Sequence, residues 1–244
     1  LQNAYNQLTQ NIDTSGKTPS SIKKYNEAKS RIQSQIDSAK NEANSVLTND
    51  NPQVSQVTAA LNKIKAVQPE LDKAIALLQN KENNDALVKA KQRLEQIVNE
   101  ADPTQGMTTD TANTYKSKKR EAEDEIQKAQ QIINNGDATE QQITTETDRV
   151  NQQTTNLTQA INGLTVNKEP LEIAKTALQN NIDQVPSTDG MTQQSVANYN
   201  QKLQIAKNEI NTINNVLANN PDVNAIRTNK AEAERISNDL SQAK

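Results

Sequence analysis

The sequence predicts an all-α protein: tandem antiparallel three-helix bundles strung end to end into an elongated rod. Three observations carry this expectation. A framework recurs three times, in which Tyr25, Tyr115 and Tyr199 each follow a glycine by nine residues (Gly16, Gly106, Gly190) and a threonine by seven (Thr18, Thr108, Thr192), and each precedes an isoleucine by eleven (Ile36, Ile126, Ile210). Self-similarity at such a period is the signature of a repeat protein. Apolar residues recur at helical steps. All 5 glycines fall at expected element boundaries, and of the 7 prolines only Pro69 falls inside an expected helix. The boundaries predicted are 1–79, 80–165 and 166–244, one bundle each.

The first helix of each repeat is short and steps by four between apolar residues: Leu8 and Ile12, Leu94 and Val98, Leu178 and Ile182. Leu1, Leu87 and Leu171 lie seven residues earlier on the same face. Pro103 and Pro186 close two copies, and the shorter segment DTSGK closes the first. The second helix starts at the repeated threonine, an N-cap whose hydroxyl accepts an otherwise unpaired backbone N–H, with Pro19 at the first helical position of one copy. Met107 and Met191 precede the cap, where they can staple onto Ala112 and Val196. Ala122, Ile126, Ala129 and Ile133 set the buried face of this helix, and Ala206, Ile210, Ile213 and Leu217 repeat it. The first repeat reaches Val46 and Leu47 four residues late, about one helical turn.

The second loop reads as a capping signal. Asn51-Pro52 and Asn220-Pro221 suggest an Asn cap followed by proline at the first helical position, and Asp137-Ala138-Thr139-Glu140 suggests a capping box. The third helix carries a heptad-like seam of Val57, Ile64, Leu71, Ile75 and Leu78, then Ile143, Val150, Leu157, Ile161 and Leu164, then Ile226, Ala233 and Leu240. The third copy has no counterpart of Leu78 and Leu164, so its last turn is expected to fray. Pro69 is expected to kink its helix by removing a bond to the carbonyl of Lys65. Between the second and third repeats, Asn162-Gly163-Leu164 reads as a glycine C-cap, with Val166 before a cap at Asn167. Between the first and second, LLQNKENNDALVKA has neither glycine nor proline, which suggests one helix running nearly straight into the next.

Composition excludes much chemistry. With no histidine and no cysteine, the commonest proton-transfer residue, the thiol nucleophile and the usual zinc ligands are all missing. Glu121, Glu123, Asp124 and Glu125 interleave with Lys116, Lys118, Lys119 and Arg120, with Lys119–Glu123 and Arg120–Asp124 at helical neighbour spacing, which describes a solvated, salt-bridged face. The segments TNDNPQ and NNGDAT are oxygen-rich but lack the alternating carboxylates and closing Glu of a calcium loop. The basic run KSKKR is followed at once by acids in a chain of net charge −3 with 2% aromatic residues, which argues against nucleic acid. No apolar run exceeds the five residues 74–78, too short to span a membrane. The first residues lack the basic and apolar regions of a signal peptide, and the chain begins and ends mid-pattern, as expected of a fragment. The repeated tyrosine is expected to pack at the rim of each core with its hydroxyl reaching water or a loop carbonyl. No catalytic, cofactor-binding or metal-binding residue is predicted, and no ligand contact can be named.

The tyrosine, the alanine and isoleucine face of the second helix, the Asn-rich loop and a third helix closing with Leu71, Ala74, Ile75 and Leu78 or Leu157, Ala160, Ile161 and Leu164 together resemble the FIVAR module. In its Asn-, Gln- and Thr-rich style the whole chain is similar to the repeat regions of giant staphylococcal surface proteins. The resemblance implies a bacterial cell-wall-associated, extracellular protein with adhesion to host matrix as its role, and brings no catalytic residues. The expected function is a non-enzymatic, monomeric rod-like spacer whose partners are neighbouring repeats. The alternative is a binding module gripping a host matrix protein or a cell-wall glycan through an exposed helix face.

Overall fold

A computed structural model describes all residues 1–244. It contains nine helices and no strands: α1 (Gln2–Leu8), α2 (Pro19–Leu47), α3 (Val54–Ile75), α4 (Asp85–Val98), α5 (Thr109–Asn134), α6 (Glu140–Asn162), α7 (Glu169–Asp183), α8 (Gln193–Ala218) and α9 (Val223–Gln242). Contacts divide the chain into two compact units, residues 1–94 with 124–151 and residues 95–123 with 152–244. No helix is long and apolar enough to cross a membrane.

In the first unit α1, α2 and α3 pack pairwise. Their core joins Leu8, Ile36, Ala39, Ala43, Ile64, Val67 and Leu71. In the second unit α7, α8 and α9 likewise pack pairwise, around Leu171, Leu178, Tyr199, Ala206, Ile213, Ile226, Ile236 and Leu240. Alanine is common at the buried positions, Ala43, Ala60, Ala122, Ala129 and Ala206 all being fully buried. Such small residues let helix backbones approach closely and give a core without Phe or Trp.

The long helices start where the threonine framework places them. Thr18 and Thr192 hold extended backbone, and their hydroxyls accept from the N–H of Ser21 and Ser195 at 3.2 and 3.0 Å. Thr108 does the same for Thr111 at 3.4 Å. Each preceding glycine is left-handed, with φ +75 at Gly16, +77 at Gly106 and +76 at Gly190. This conformation, costly for a side-chain-bearing residue, explains the repeated glycine.

Several boundaries differ from expectation. The helix α1 stops at Leu8, so Ile12 lies beyond it, half-buried in the segment leading to α2. Asn51 and Asn220 are not caps, and Pro52 and Pro221 are not first helical residues. The caps are Gln53 and Asp222, two residues later, the latter accepting from the Ala225 N–H at 2.7 Å. The reason is backbone geometry: a cap must be extended, whereas Asn220 is left-handed at φ +49. The capping box of α6 is Thr139 with Gln142, not Asp137 with Glu140: the Thr139 N–H donates to Gln142 Oε1 at 2.9 Å and the Gln142 N–H to Thr139 Oγ1 at 3.1 Å. Leu78 and Leu164 fall just past the ends of α3 and α6 and are half-buried. Pro69 lies inside α3, which runs from Val54 to Ile75. The helix α9 runs to Gln242, with Leu240 fully buried and Ala243 packed on the same cluster.

The largest departure follows α3. The chain does not run on as a helix: residues 76–84 form a turn and an extended segment before α4 begins. What breaks the helix is pairing with a distant part of the chain, described next. The new helix start is set locally, the Asp85 N–H donating to Asn83 Oδ1 at 2.8 Å. Asn167, expected as the cap of α7, accepts from the Glu169 N–H at 3.1 Å, but the cap residue is Lys168, one position later.

Candidate interface: backbone clasps between repeats

Two segments far apart in sequence are joined by backbone hydrogen bonds in each unit. In the first, the Thr18 N–H donates to the Gln79 carbonyl at 2.8 Å and the Lys81 N–H to the Gly16 carbonyl at 2.9 Å, leaving Lys17 opposite Asn80 in an antiparallel bridge. Lys17 Nζ also donates to Asn80 Oδ1 at 2.7 Å, and Ser21 Oγ to the Gln79 carbonyl at 3.4 Å. In the second, the Thr108 N–H donates to the Thr165 carbonyl at 2.7 Å and the Asn167 N–H to the Gly106 carbonyl at 2.9 Å, with Met107 opposite Val166. Here the Thr165 N–H donates to Thr111 Oγ1 at 3.2 Å. The left-handed glycine turns its carbonyl toward the linker, and the threonine caps its helix with the side chain while its N–H reaches the linker carbonyl.

A second loop completes each clasp. In the first unit the α5–α6 loop approaches the start of α2. Asp137 accepts from the Ser20 N–H at 3.0 Å and from Ser20 Oγ at 2.8 Å, and a Cβ on Gly136 would come within 2.7 Å of Pro19 Cδ. These bonds hold the Asp137 carboxyl below the usual carboxylate range, the backbone N–H of Ser20 contributing most. In the second unit Val223, which opens α9, lies against Gly106, where an added Cβ would meet Val223 Cγ1 at 2.5 Å. One loop contact is polar and the other apolar, on the same backbone frame.

The rings of the repeated tyrosines are almost wholly buried. Tyr25, Tyr115 and Tyr199 are 4%, 2% and 3% exposed, and the Tyr199 hydroxyl is buried without a partner. Burial, then the charges of Asp102, Glu100 and Glu123, raises the pKa of Tyr115 above its ordinary value. On the charged face of α5, Lys118 Nζ lies 3.4 Å from Glu121. One acid of the cluster, Glu125, is not on the solvated face: it is buried beside Glu146, also buried, and each has one carboxylate oxygen without a partner. Glu146 is pushed up to about 7, first by burial and then by the hydrogen bond and charge of Glu125. Glu209 in α8 is buried and raised in the same direction, mainly by burial. These glutamates were legible as apolar-face positions, since Glu125 lies between Ala122 and Ala129 and Glu146 between Ile143 and Val150 at helical steps. No group of three or more carboxylates gathers to hold a metal ion. The oxygen-rich loops use their side chains locally, Asn49 accepting from the Asn51 N–H and Asn135 from the Asp137 N–H, both at 3.0 Å.

Nine helices, three copies of the capped-tyrosine framework and two clasps of one design describe a helical repeat protein, and the chain belongs to the FIVAR domain family, which it matches over residues 4–72, 90–165 and 174–241. It is 42% identical over all of its 244 residues to "Extracellular matrix-binding protein EbhB" of Staphylococcus aureus strain Newman, covering 4% of that protein. It is equally similar to "Extracellular matrix-binding protein ebh" of strain NCTC 8325 / PS 47, covering 3% of it. The chain thus spans only a small part of the relatives it matches. A solved chain from work on "extracellular matrix binding protein- (Embp)-mediated Staphylococcus epidermidis adherence to fibronectin" is 40% identical, with 65% of this chain and 94% of that chain covered and a TM-score of 0.37.

Proposed function

We propose that the chain is a non-enzymatic spacer segment of a cell-surface adhesin, built as three consecutive three-helix bundles over residues 1–79, 80–165 and 166–244. The observation that carries this reading is the repeated clasp. A flexible tether needs no defined joint, whereas Gly16–Thr18 and Gly106–Thr108 bind their linkers through the same two backbone hydrogen bonds. Joints of fixed geometry transmit extension from one repeat to the next, and stability becomes a sum over repeats and nearest-neighbour contacts. At about 1.5 Å per residue, a helix of roughly 25 residues makes each bundle about 37 Å long. The segment works as a monomer whose partners are neighbouring repeats, outside the cell at the bacterial wall.

A second reading, binding of a host matrix protein through an exposed helix face, is supported by the names of the relatives and by a groove of about 460 Å³ between α7 and α9. There Ile173 stands 61% exposed beside Pro170, Ala177 and Ala233. Incubation of the chain with immobilised matrix proteins and wall glycans separates the two. The spacer reading expects no saturable binding. Saturable binding to one component, lost in Ile173→Asp, overturns it in favour of the second.

A further inference from the structure

We propose that Asn135-Gly136, in the loop between α5 and α6, is a self-modifying site: the Asn135 side chain deamidates through a cyclic imide to isoaspartate, and the altered loop releases the start of α2. Two Asn-Gly pairs occur in the chain, at 135–136 and 162–163, and both asparagines are exposed. Deamidation needs the backbone nitrogen after the asparagine to lose its proton and attack the side-chain carbonyl carbon. Glycine hinders that attack least, having no Cβ beside the nitrogen.

The two pairs differ in what holds the nitrogen. The Gly163 N–H donates to the Gln159 carbonyl at 2.9 Å in the closing turn of α6, so the helix must open before this nitrogen can react. The Gly136 N–H has no acceptor in the chain. The electrophile is prepared as well. Asn135 Oδ1 accepts from the Asp137 N–H at 3.0 Å, which folds the side chain back over the intervening peptide and sets a donor on the oxygen where negative charge develops. A Cβ on Gly136 would lie 3.2 Å from Lys81 Cε, so the lysine ammonium is close to the same peptide. A cation there favours the deprotonated nitrogen.

The reaction balances with water alone. The Gly136 nitrogen gives its proton to water and bonds to Asn135 Cγ, the Cγ–Nδ2 bond breaks, and Nδ2 leaves as ammonia with a proton taken from solvent. Water then opens the imide. Cleavage between the nitrogen and the main-chain carbonyl carbon of residue 135 leaves isoaspartate, with the backbone routed through Cγ; cleavage between the nitrogen and Cγ leaves aspartate. Either product is heavier by about 1 Da, ammonia having been exchanged for water. Isoaspartate lengthens the main chain by one atom at a point without slack. Gly136 packs so closely on α2 that an added Cβ would come within 2.7 Å of Pro19 Cδ, and Asp137 beyond it accepts from the Ser20 N–H at 3.0 Å. Ser20 lies in the first turn of α2, where an N–H has no acceptor within the helix, so this carboxylate is its partner from outside.

The test ages the whole chain at mildly alkaline pH, folded in buffer and unfolded in urea, and follows isoaspartate at both pairs by peptide mapping with mass spectrometry. The two pairs react at similar rates when unfolded, and in the folded chain Asn135 reacts at least about tenfold faster than Asn162. Equal rates in the folded chain overturn the site. The isoaspartate form, separated by ion exchange on its added negative charge, exchanges the Ser20 amide at least about tenfold faster than the unmodified chain, while the Thr108 amide, clasped to Thr165, does not change. A Ser20 amide equally protected in both forms overturns the release. Asn135→Gln, whose longer side chain closes the ring far more slowly, should age without loss of Ser20 protection. The same loss on ageing that variant overturns the link between the two events.

Discussion

Replacing Glu146 by glutamine should stabilise the protein at neutral pH and remove a pH dependence carried by one buried pair. Glu146 and Glu125 are 4% and 7% exposed, and each has an oxygen without a partner. Lys128 Nζ reaches Glu125 at 4.0 Å, and Arg149 and Lys128 both favour the charged form of Glu146, but burial and the neighbouring carboxylate outweigh them. Glu146 therefore titrates at about 7 in the folded chain against an ordinary 4.5. Between those values the folded state holds a proton that the unfolded state has released. The stability associated with the protonated pair is fully present below pH 4.5 and falls as pH rises through 7. At about 1.4 kcal/mol per pH unit the loss is at most about 3 kcal/mol. The Glu146→Gln variant keeps the shape and a hydrogen-bonding amide while losing the titration, so it should exceed the parent at pH 8 by about 1 to 3 kcal/mol and match it more closely at about pH 5. Urea-dependent amide exchange of residues 143–150, corrected for intrinsic rate at each pH, measures this locally. Equal parental stability at pH 5 and 8, or an unchanged slope in the variant, would refute the reasoning.

Three further outcomes are expected. Tyr115→Ala, which empties a site 2% exposed, should cost about 3 kcal/mol, read as lost amide protection in α5; a loss under about 0.5 kcal/mol would place the ring in solvent. Gly16→Ala and Gly106→Ala share a strained left-handed backbone, about 1 kcal/mol each, but only the second drives a methyl into Val223, so its melting temperature should fall further. Asp137→Ala should speed exchange of the Ser20 amide at neutral pH. In the parent the same bond should weaken as pH falls through the lowered carboxyl range, so a Ser20 amide indifferent to both changes would count against the cross-repeat cap.

The sequence made the helices and their second-helix caps legible because those signals are local. A hydroxyl, a left-handed glycine and an apolar step each act within a few residues. The clasps were not legible, since they are backbone hydrogen bonds between Gly16–Thr18 and residues 79–81, and the linker residues that make them carry no distinctive side chain. For the same reason LLQNKENNDALVKA looked continuous: no breaker sits in it, and the helix ends where distant backbone competes for its N–H and C=O groups. Asn83, accepting from the Asp85 N–H, was the local sign of a new start. The caps of α3 and α9 were misplaced by two residues because an Asn-Pro pair suits both a turn and a cap, and at α9 the left-handed Asn220 decides between them. Residue type likewise masked Glu125 and Glu146, whose spacing put them on the buried face.

The proposal that the segment is an extended spacer is tested most directly by small-angle X-ray scattering of the 244-residue chain. Three bundles of about 37 Å in line predict a radius of gyration of about 30 Å. A value near about 18 Å, that of a compact globule of this length, would contradict it.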